Sequence, residues 1–314
     1  MERPIELIKN RSDIGAGTRG ADLGIDAMEI AAINKGSFFF KKHPFIDVPT
    51  RNESVYEIEG NTCAKHIKQI YQQCKDLCSI VENSLMKANF PLVFSGDHSS
   101  AIGTVAGIRA KFPDKKLGII WIDAHADIHS PYTTPSGNMH GMPIAAILGI
   151  DNTSAQKNDI NPETQAYWNK LKAMSEHGTR VAKEHIVYFG VRDTEVEEDQ
   201  LIEKLGIRNY KVEEVRRKGI PACIQECQDR LADCDILYLS FDVDSMDSDL
   251  VSEGTGTPVP KGFLPSEVQE IIIDLMKDER VKCFEIVEVN PLLDKQGNKM
   301  AEIAFDILEK TFGV

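Results

Sequence analysis

The sequence predicts an α/β protein in which helices cover both faces of a mainly parallel sheet, a three-layer α/β/α architecture. Two observations support this prediction. Short apolar, β-branched runs alternate with amphipathic stretches of helical period, and the alternation continues along the whole chain. No repeat, linker or break in composition divides the 314 residues, of which 42% are hydrophobic and 27% charged. We therefore expect residues 1–314 to form a single domain with a large core.

The candidate strands are short apolar runs and the candidate helices are the longer amphipathic segments. Strands are predicted at 5–8 (IELI), 92–94 (LVF), 117–122 (LGIIWI), 185–189 (HIVYF), 236–241 (ILYLSF) and 281–289 (VKCFEIVEV). Helices are predicted at 62–88, 99–111, 195–205, 220–232, 265–277 and 300–312. The longest apolar stretch, 143–150, is too short to span a membrane and is assigned to the core. Ligands bind at the carboxyl ends of parallel strands, so residues that follow strands are candidate site residues.

The net charge and the absence of targeting signals indicate which partners and which cellular compartment to expect. The chain has 36 Lys and Arg against 49 Asp and Glu, a net charge of −13. Such an acidic surface repels phosphate backbones and anionic membranes, so neither nucleic acid nor a membrane is an expected partner. The N-terminus lacks the apolar core of a signal peptide, and the seven cysteines contain no C-x-x-C pair. These features predict buried thiols and a cytoplasmic protein.

A glycine-rich segment offers a competing interpretation. Residues 15–20 (GAGTRG) match the G-x-G-x-x-G pattern of dinucleotide-binding loops. Such a fold requires an acidic residue about 20 positions on, whereas Asp47 comes 27 residues after Gly20 and the strand at 5–8 ends too early for the tight turn. We interpret the segment as a flexible loop near the sheet edge. The alternative, a nucleotide-binding oxidoreductase, predicts tight binding of NAD.

Potential metal ligands follow three of the candidate strands. Each strand end carries carboxylates or imidazoles, and most of them alternate with apolar residues, so that an extended chain would direct them to one side. Without cations such a cluster would leave like charges uncompensated. A set of oxygen and nitrogen ligands without thiolate favours Mn²⁺, and six ligands suffice for two ions that share and acidify one water. The set is His98 after the strand at 92–94, Asp123, His125 and Asp127 after the strand at 117–122, and Asp242 and Asp244 after the strand at 236–241.

Five segments make the chain resemble the ureohydrolases, and within them the arginases. They are 95–99 (SGDHS), 123–127 (DAHAD), 136–143 (SGNMHGMP), 240–244 (SFDVD) and 288–291 (EVNP), and the resemblance runs in order from about Asp13 to the C-terminal helix. It implies an eight-stranded parallel sheet, two Mn²⁺ ions per chain and a homo-oligomer, a trimer or hexamer. It also implies hydrolysis of L-arginine to ornithine and urea by a metal-bridging hydroxide that attacks the guanidinium carbon.

The resemblance also implies roles for individual residues. One ion would take His98, Asp123, Asp127 and Asp242, and the other would take His125, Asp123, Asp242 and Asp244. Asp127 would orient the hydroxide, His140 would shuttle protons, and Glu288 would pair with the substrate guanidinium. The residues expected to bind the amino-acid end of a small cationic guanidino substrate are His129, Thr134, Ser136, Asn138, Asp193, Glu195 and Thr257.

The chain departs from the arginase pattern at several positions. His129 stands where arginases usually have Asn, Glu195 where Asp is usual, and Ser95 where the first Gly of Gly-Gly-Asp-His is usual. The loop from Asp244 to Thr257 is one residue longer. No metal ligand is affected, so the departures concern the substrate. Two alternatives remain: a ureohydrolase acting on agmatine or a related guanidino acid, and a catalytically silent member that binds metal.

Overall fold

A computed structural model of the chain describes residues 4–57, 60, 62–174 and 181–313. The described residues form one eight-stranded sheet in which every pair of neighbouring strands is parallel. The strands are β1 (Ile5–Asn10), β2 (Phe45–Asp47), β3 (Phe90–Ser95), β4 (Leu117–Ile122), β5 (Ile186–Phe189), β6 (Arg208–Tyr210), β7 (Ile236–Asp242) and β8 (Val281–Val287). Their order across the sheet is β2-β1-β3-β8-β7-β4-β5-β6.

Eleven α-helices accompany the strands in the described part of the chain. They are α1 (Gly24–Asn34), α2 (Phe39–Lys42), α3 (Ile67–Met86), α4 (Ala101–Lys111), α5 (Pro143–Leu148), α6 (Pro162–Lys172), α7 (Val196–Leu205), α8 (Val212–Lys218), α9 (Ile220–Arg230), α10 (Pro265–Met276) and α11 (Lys299–Phe312). None of the helices in the described ranges is long and apolar enough to cross a membrane.

Two apolar cores, one on each face of the sheet, confirm the three-layer prediction. Side chains of α1, α9, α10 and α11 pack against one face, and those of α3, α4, α5 and α6 against the other. In β4, Ile120 and Ile122 belong to the first core and Ile119 and Trp121 to the second. Burial on both faces is the reason why the central strands are continuous apolar runs.

All six predicted strands are present, with ends shifted by up to two residues at either terminus. The eight-stranded sheet implied by the resemblance is also confirmed, because β2 and β6 complete it at its two edges. Both were missed by periodicity because each has three residues. The six predicted helices are present as well, whereas α1, α2, α6 and α8 were not predicted, and the apolar stretch assigned to the core contains the buried helix α5.

The strand order brings the candidate ligands together. The four central strands β3, β8, β7 and β4 are neighbours, although β8 is last along the chain. Since the sheet is parallel, their carboxyl ends lie at one edge. The segments at the ends of these four strands therefore meet at one place, and they carry every predicted metal ligand.

Candidate metal centre and active site

The six predicted metal ligands converge at the carboxyl end of the sheet. Asp242 is the last residue of β7, and the other five lie in the segments that follow β3, β4 and β7. His98 begins a short 3₁₀ turn whose N-cap is Asp97, which accepts a hydrogen bond from the amide of Ser99 at 2.9 Å. The local structure of this segment thus follows from an Asp in the N-cap position.

Two groups of ligand atoms share Asp123. His98 Nδ1 lies 3.0 Å from Asp123 Oδ2, 3.1 Å from Asp127 Oδ2 and 3.3 Å from Asp242 Oδ2. His125 Nδ1 lies 3.0 Å from Asp244 Oδ2 and 3.6 Å from Asp123 Oδ1. Four of the six residues are almost fully buried, and His125 reaches the surface with about a fifth of its side chain.

The ligands converge by a different local geometry from the one predicted. β4 ends at Ile122, and the segment after it does not continue as a strand. Asp127 has a left-handed backbone with φ of 50°, so the alternation expected for Asp123, His125 and Asp127 stops before its third member. Glu288, just after β8, is also left-handed with φ of 65°. Such conformations are costly for residues other than Gly, so the surrounding contacts must hold Asp127 and Glu288 in place.

Burial and neighbouring carboxylates raise the pKa of three of the four aspartates, Asp127, Asp242 and Asp244, whereas hydrogen bonds and charges of His125 and His98 outweigh burial and lower the pKa of Asp123. Burial, together with Asp244 and Asp123, raises the pKa of Asp242 well above its usual range. Burial and the charge of Asp123 raise the pKa of Asp127 to about 6. Burial alone would lower the pKa of His98, but the three carboxylates around it raise that pKa well above the ordinary value. A bound cation would stabilise the charged form of these carboxylates.

Contacts of the His98 imidazole fit metal ligation. His98 Nδ1 and Asp123 Oδ2 are buried and have no hydrogen-bond partner among the described residues, although they face each other. The other ring nitrogen of His98 contacts Ser240 Oγ at 2.7 Å, and the ring stacks on Trp121 with centroids 3.8 Å apart. Metal-binding histidines are oriented in this way, with one nitrogen held by a polar partner and the other left for the ion. The donor set therefore fits divalent cations.

His140 and Glu288 form a pair beside the metal ligands. Their closest contact, from His140 Nδ1 to Glu288 Oε1, is 3.1 Å, and Glu288 Oε1 also accepts a hydrogen bond from the amide of His98 at 3.0 Å. The other oxygen of Glu288 is buried without a hydrogen-bond partner in the described part of the chain. Burial would lower the pKa of His140, but the charge and hydrogen bond of Glu288 outweigh this effect and raise it to about 9.

One pocket of about 270 Å³ joins the ligands to the predicted substrate residues. Every residue predicted from the sequence to be catalytic or to bind substrate or metal lines it, apart from the buried Asp123. The predicted residues in the lining are His98, His125, Asp127, His129, Thr134, Ser136, Asn138, His140, Asp193, Glu195, Asp242, Asp244, Thr257 and Glu288.

Three further residues of the pocket region were not predicted. Glu198 lines the pocket beside Glu195, and the signal for it was its position three residues after the N-cap Glu195 of α7. Lys65 Nζ donates to Asn138 Oδ1 at 3.0 Å. Arg192 donates hydrogen bonds to six carbonyl oxygens, among them those of Asp244 and Val259, and so connects the loops after β5 and β7.

The glycine-rich segment 15–20 also contributes to this region. Its first residue, Gly15, donates its amide to Asp97 Oδ2 at 2.9 Å, and its carbonyl oxygen accepts the amide of His140 at 3.1 Å. A Cβ at this position would lie 2.6 Å from Asp97 Oδ1, so the glycine permits the close approach. The segment is thus packed against the candidate site, which differs from the free loop at the sheet edge that the sequence predicted.

Comparisons with known proteins agree with this architecture. The sequence profile of the Arginase family matches residues 5–313. The chain is 32% identical to arginase from Bacillus caldovelox over 99% of the chain and 98% of that protein, and 32% identical to arginase from Bacillus subtilis over 100% and 99%. The solved structure of the Bacillus caldovelox arginase superposes with a TM-score of 0.84 and covers 99% of both chains. The chain therefore belongs to the arginase family and is a hydrolase of carbon–nitrogen bonds.

Proposed function

We propose that this protein hydrolyses L-arginine to ornithine and urea, with residues 1–314 acting as one domain. The observation that carries the proposal is the pairing of two acid-rich ligand groups with Glu288, which lines the same pocket and has a buried oxygen without a partner among the described residues. The full-length similarity to bacterial arginases supports the same substrate.

We propose two Mn²⁺ ions per chain as the cofactor. His98, Asp123, Asp127 and Asp242 would hold one ion, because the three carboxylates all lie within 3.3 Å of His98 Nδ1. His125, Asp123, Asp242 and Asp244 would hold the other. When bound, two such ions lower the pKa of a shared water towards neutrality and make it a nucleophile.

Glu288 is the proposed anchor of the guanidinium. Its Oε1 is occupied by the amide of His98 and by His140, which fixes the carboxylate and leaves Oε2 as the acceptor for substrate. A guanidinium presents several N–H donors in one plane and pairs strongly with a carboxylate. Glu288 thereby orients the guanidinium carbon towards the ligand groups.

Asp127 and His140 are the proposed proton carriers. Asp127 lines the pocket beside the other ligands, where one of its carboxylate oxygens can accept a proton from the attacking water. His140 is held by Glu288 on one side and is partly exposed on the other, so it can deliver a proton from solvent to the departing amine. Protonation of that amine completes the release of ornithine.

The other end of the pocket is proposed to bind the α-carboxylate and α-ammonium groups. Thr134 and Ser136 each accept an amide through Oγ, which leaves both hydroxyl protons free to donate. Lys65 occupies the Asn138 carbonyl oxygen, so the Asn138 amide nitrogen is the available donor. Asp193 and Glu195 line the same pocket and carry the negative charge that an ammonium requires.

Thr257, which was predicted to bind substrate, also contacts a metal ligand. Its hydroxyl donates to Asp244 Oδ2 at 3.0 Å. We therefore propose that Thr257 positions a metal ligand, although it also lines the pocket.

The test is urea release after incubation with Mn²⁺, with L-arginine, agmatine and a guanidino acid that lacks the α-amino group as substrates. We expect Mn²⁺-dependent urea from L-arginine, with kcat/KM for the other two at least about 100-fold lower because each lacks a group that the pocket binds. Urea from agmatine alone would overturn the assignment of substrate. No urea from any of them with two ions bound would favour a silent member of the family.

A further inference from the structure

A third group of metal-ligating atoms lies in the pocket away from the two described above. His129 Nε2 is 3.0 Å from Glu195 Oε2 and 3.6 Å from Glu198 Oε2. One ligand atom from each of the three residues lies within 4.8 Å of the other two. None of the six predicted metal ligands belongs to this group.

The spacing of these atoms matches a small tetrahedral ion. Zn²⁺ binds nitrogen and oxygen at about 2.0–2.2 Å, and tetrahedral geometry then separates neighbouring ligand atoms by about 3.3–3.6 Å. The observed separations of 3.0 and 3.6 Å from His129 Nε2 bracket that range. The third separation, between a Glu195 oxygen and a Glu198 oxygen, is at most 4.8 Å, so a bound ion would draw these two oxygens together.

Outer contacts hold the three side chains in place. His129 Nδ1 contacts Thr133 Oγ1 at 3.0 Å, which leaves Nε2 for the two carboxylates. Glu198 is buried; its Oε1 accepts the amide of Ile128 at 3.3 Å, and its Oε2 accepts the amide of Glu195 at 3.2 Å, which fixes the carboxylate and leaves Oε2 with a further lone pair for an ion. A histidine with one nitrogen bound to a polar partner and the other directed at carboxylates has the arrangement of a metal ligand.

Access and composition also favour an ion at this place. About half of the Glu195 side chain is exposed, so an ion can enter from solvent. One imidazole and two carboxylates suit a hard or borderline divalent cation, and Zn²⁺ is a suitable probe because three protein ligands are enough to bind it.

We infer that His129, Glu195 and Glu198 form a third divalent-cation site at the mouth of the pocket, separate from the pair of ligand groups at its base. An ion there would occupy the Glu195 carboxylate, which we assign to the α-ammonium, and so would compete with substrate. The site itself is argued from contacts alone, and only this competition rests on the proposed function.

The site can be tested without substrate by equilibrium dialysis. The full-length, Mn²⁺-saturated protein is dialysed against Zn²⁺, and both metals are then counted by mass spectrometry. Since Zn²⁺ can also exchange with Mn²⁺ at the other two sites, the readout is the sum of the two metals, which we expect to rise from two to three ions per chain. His129→Asn and Glu195→Gln should each weaken Zn²⁺ binding by at least about 100-fold, since removal of even an outer partner costs about 10–100-fold. Glu195→Gln, at a half-exposed position, serves as the second variant if His129→Asn loses Mn²⁺ or fails to fold.

The chain offers a matched control in a second His-containing cluster. His185, Asp233 and Cys234 also bring ligand atoms together, but Lys116 Nζ already lies 3.1 Å from Asp233 Oδ2. His185→Asn should leave Zn²⁺ binding unchanged. Three outcomes would overturn the inference: no added Zn²⁺, replacement of Mn²⁺ one for one, or loss of the Zn²⁺ in His185→Asn but not in His129→Asn. A failure to release urea would contradict the proposed function, but it would not change the number of bound ions on which this inference depends.

Discussion

Gly137→Ala should disturb the amino-acid end of the pocket through two separate costs. Gly137 has φ of +74°, and a Cβ on it would lie 1.8 Å from the carbonyl oxygen of Thr62. No relaxation confined to a side chain removes that overlap, because the clashing atom belongs to the backbone. Segment 62–66 or segment 134–138 must therefore move.

The expected loss of stability follows from the contacts at this glycine. The left-handed conformation costs a residue with a Cβ about 1–2 kcal/mol. The displacement also breaks the hydrogen bonds from the amide of Lys65 to the Gly137 carbonyl and from the Gly137 amide to Thr134 Oγ1. Each contributes about 0.5–1.5 kcal/mol, so we expect the free energy of unfolding to fall by about 2–5 kcal/mol in total.

Gly206→Ala is the matched control. Gly206 has φ of +66°, and a Cβ on it would meet no atom of the described residues within 4 Å, so only the conformational cost applies. That cost is about 1–2 kcal/mol. Urea denaturation of both variants gives the two losses, and steady-state kinetics gives KM. We expect a raised KM for L-arginine only in Gly137→Ala, since Ser136 and Asn138 move with it. Equal losses of stability and an unchanged KM in both variants would refute the steric argument.

Three further predictions concern the charge of His140, the bound metal and the half-buried Arg192. In metal-free protein, the raised pKa of His140 should contribute stability that is complete below pH 6.5 and is lost as the pH rises through about 9. In His140→Ala, the denaturation midpoint should therefore change less with pH across that window. A dependence of the midpoint on pH that is the same in the variant and the wild type would exclude the pair with Glu288. Chelation should lower the melting temperature, and Mn²⁺ at about 100 times its Kd should restore about 2.7 kcal/mol per site; a melting temperature insensitive to Mn²⁺ would contradict binding to the folded state. Arg192→Ala should lower the free energy of unfolding by at least about 2–3 kcal/mol, because six carbonyl oxygens lose their donor. It should also weaken Mn²⁺ binding, since the loop that carries Asp244 is no longer held. An affinity for Mn²⁺ equal to that of the wild type would show that Arg192 does not support the metal centre.

The sequence predicted the central sheet because burial on both faces leaves an unmistakable apolar run. Leu117–Ile122 was located to the residue, whereas the three-residue edge strands Phe45–Asp47 and Arg208–Tyr210 are too short to show a period and include exposed or half-buried side chains. Strand ends in a parallel sheet lie at one edge, so the ligands that follow them were predictable as a group.

Residues whose roles depend on contacts between distant segments could not be predicted in this way. Arg192 reaches carbonyl oxygens 52–68 residues away, and Lys65 reaches Asn138 across 73 residues. No local pattern marks such an arginine or lysine. The left-handed backbone of Asp127 was equally hidden, because alternation in sequence indicates an extended chain and not the turn that the site uses.

The central claim is that the ends of β3, β4 and β7 hold two divalent ions close together. Dialysis of the metal-free protein against Mn²⁺, followed by electron paramagnetic resonance, measures both the number of ions and their coupling. We predict two Mn²⁺ per chain with the spectrum of an exchange-coupled pair. One ion per chain, or two ions with the spectrum of isolated Mn²⁺, would contradict the account.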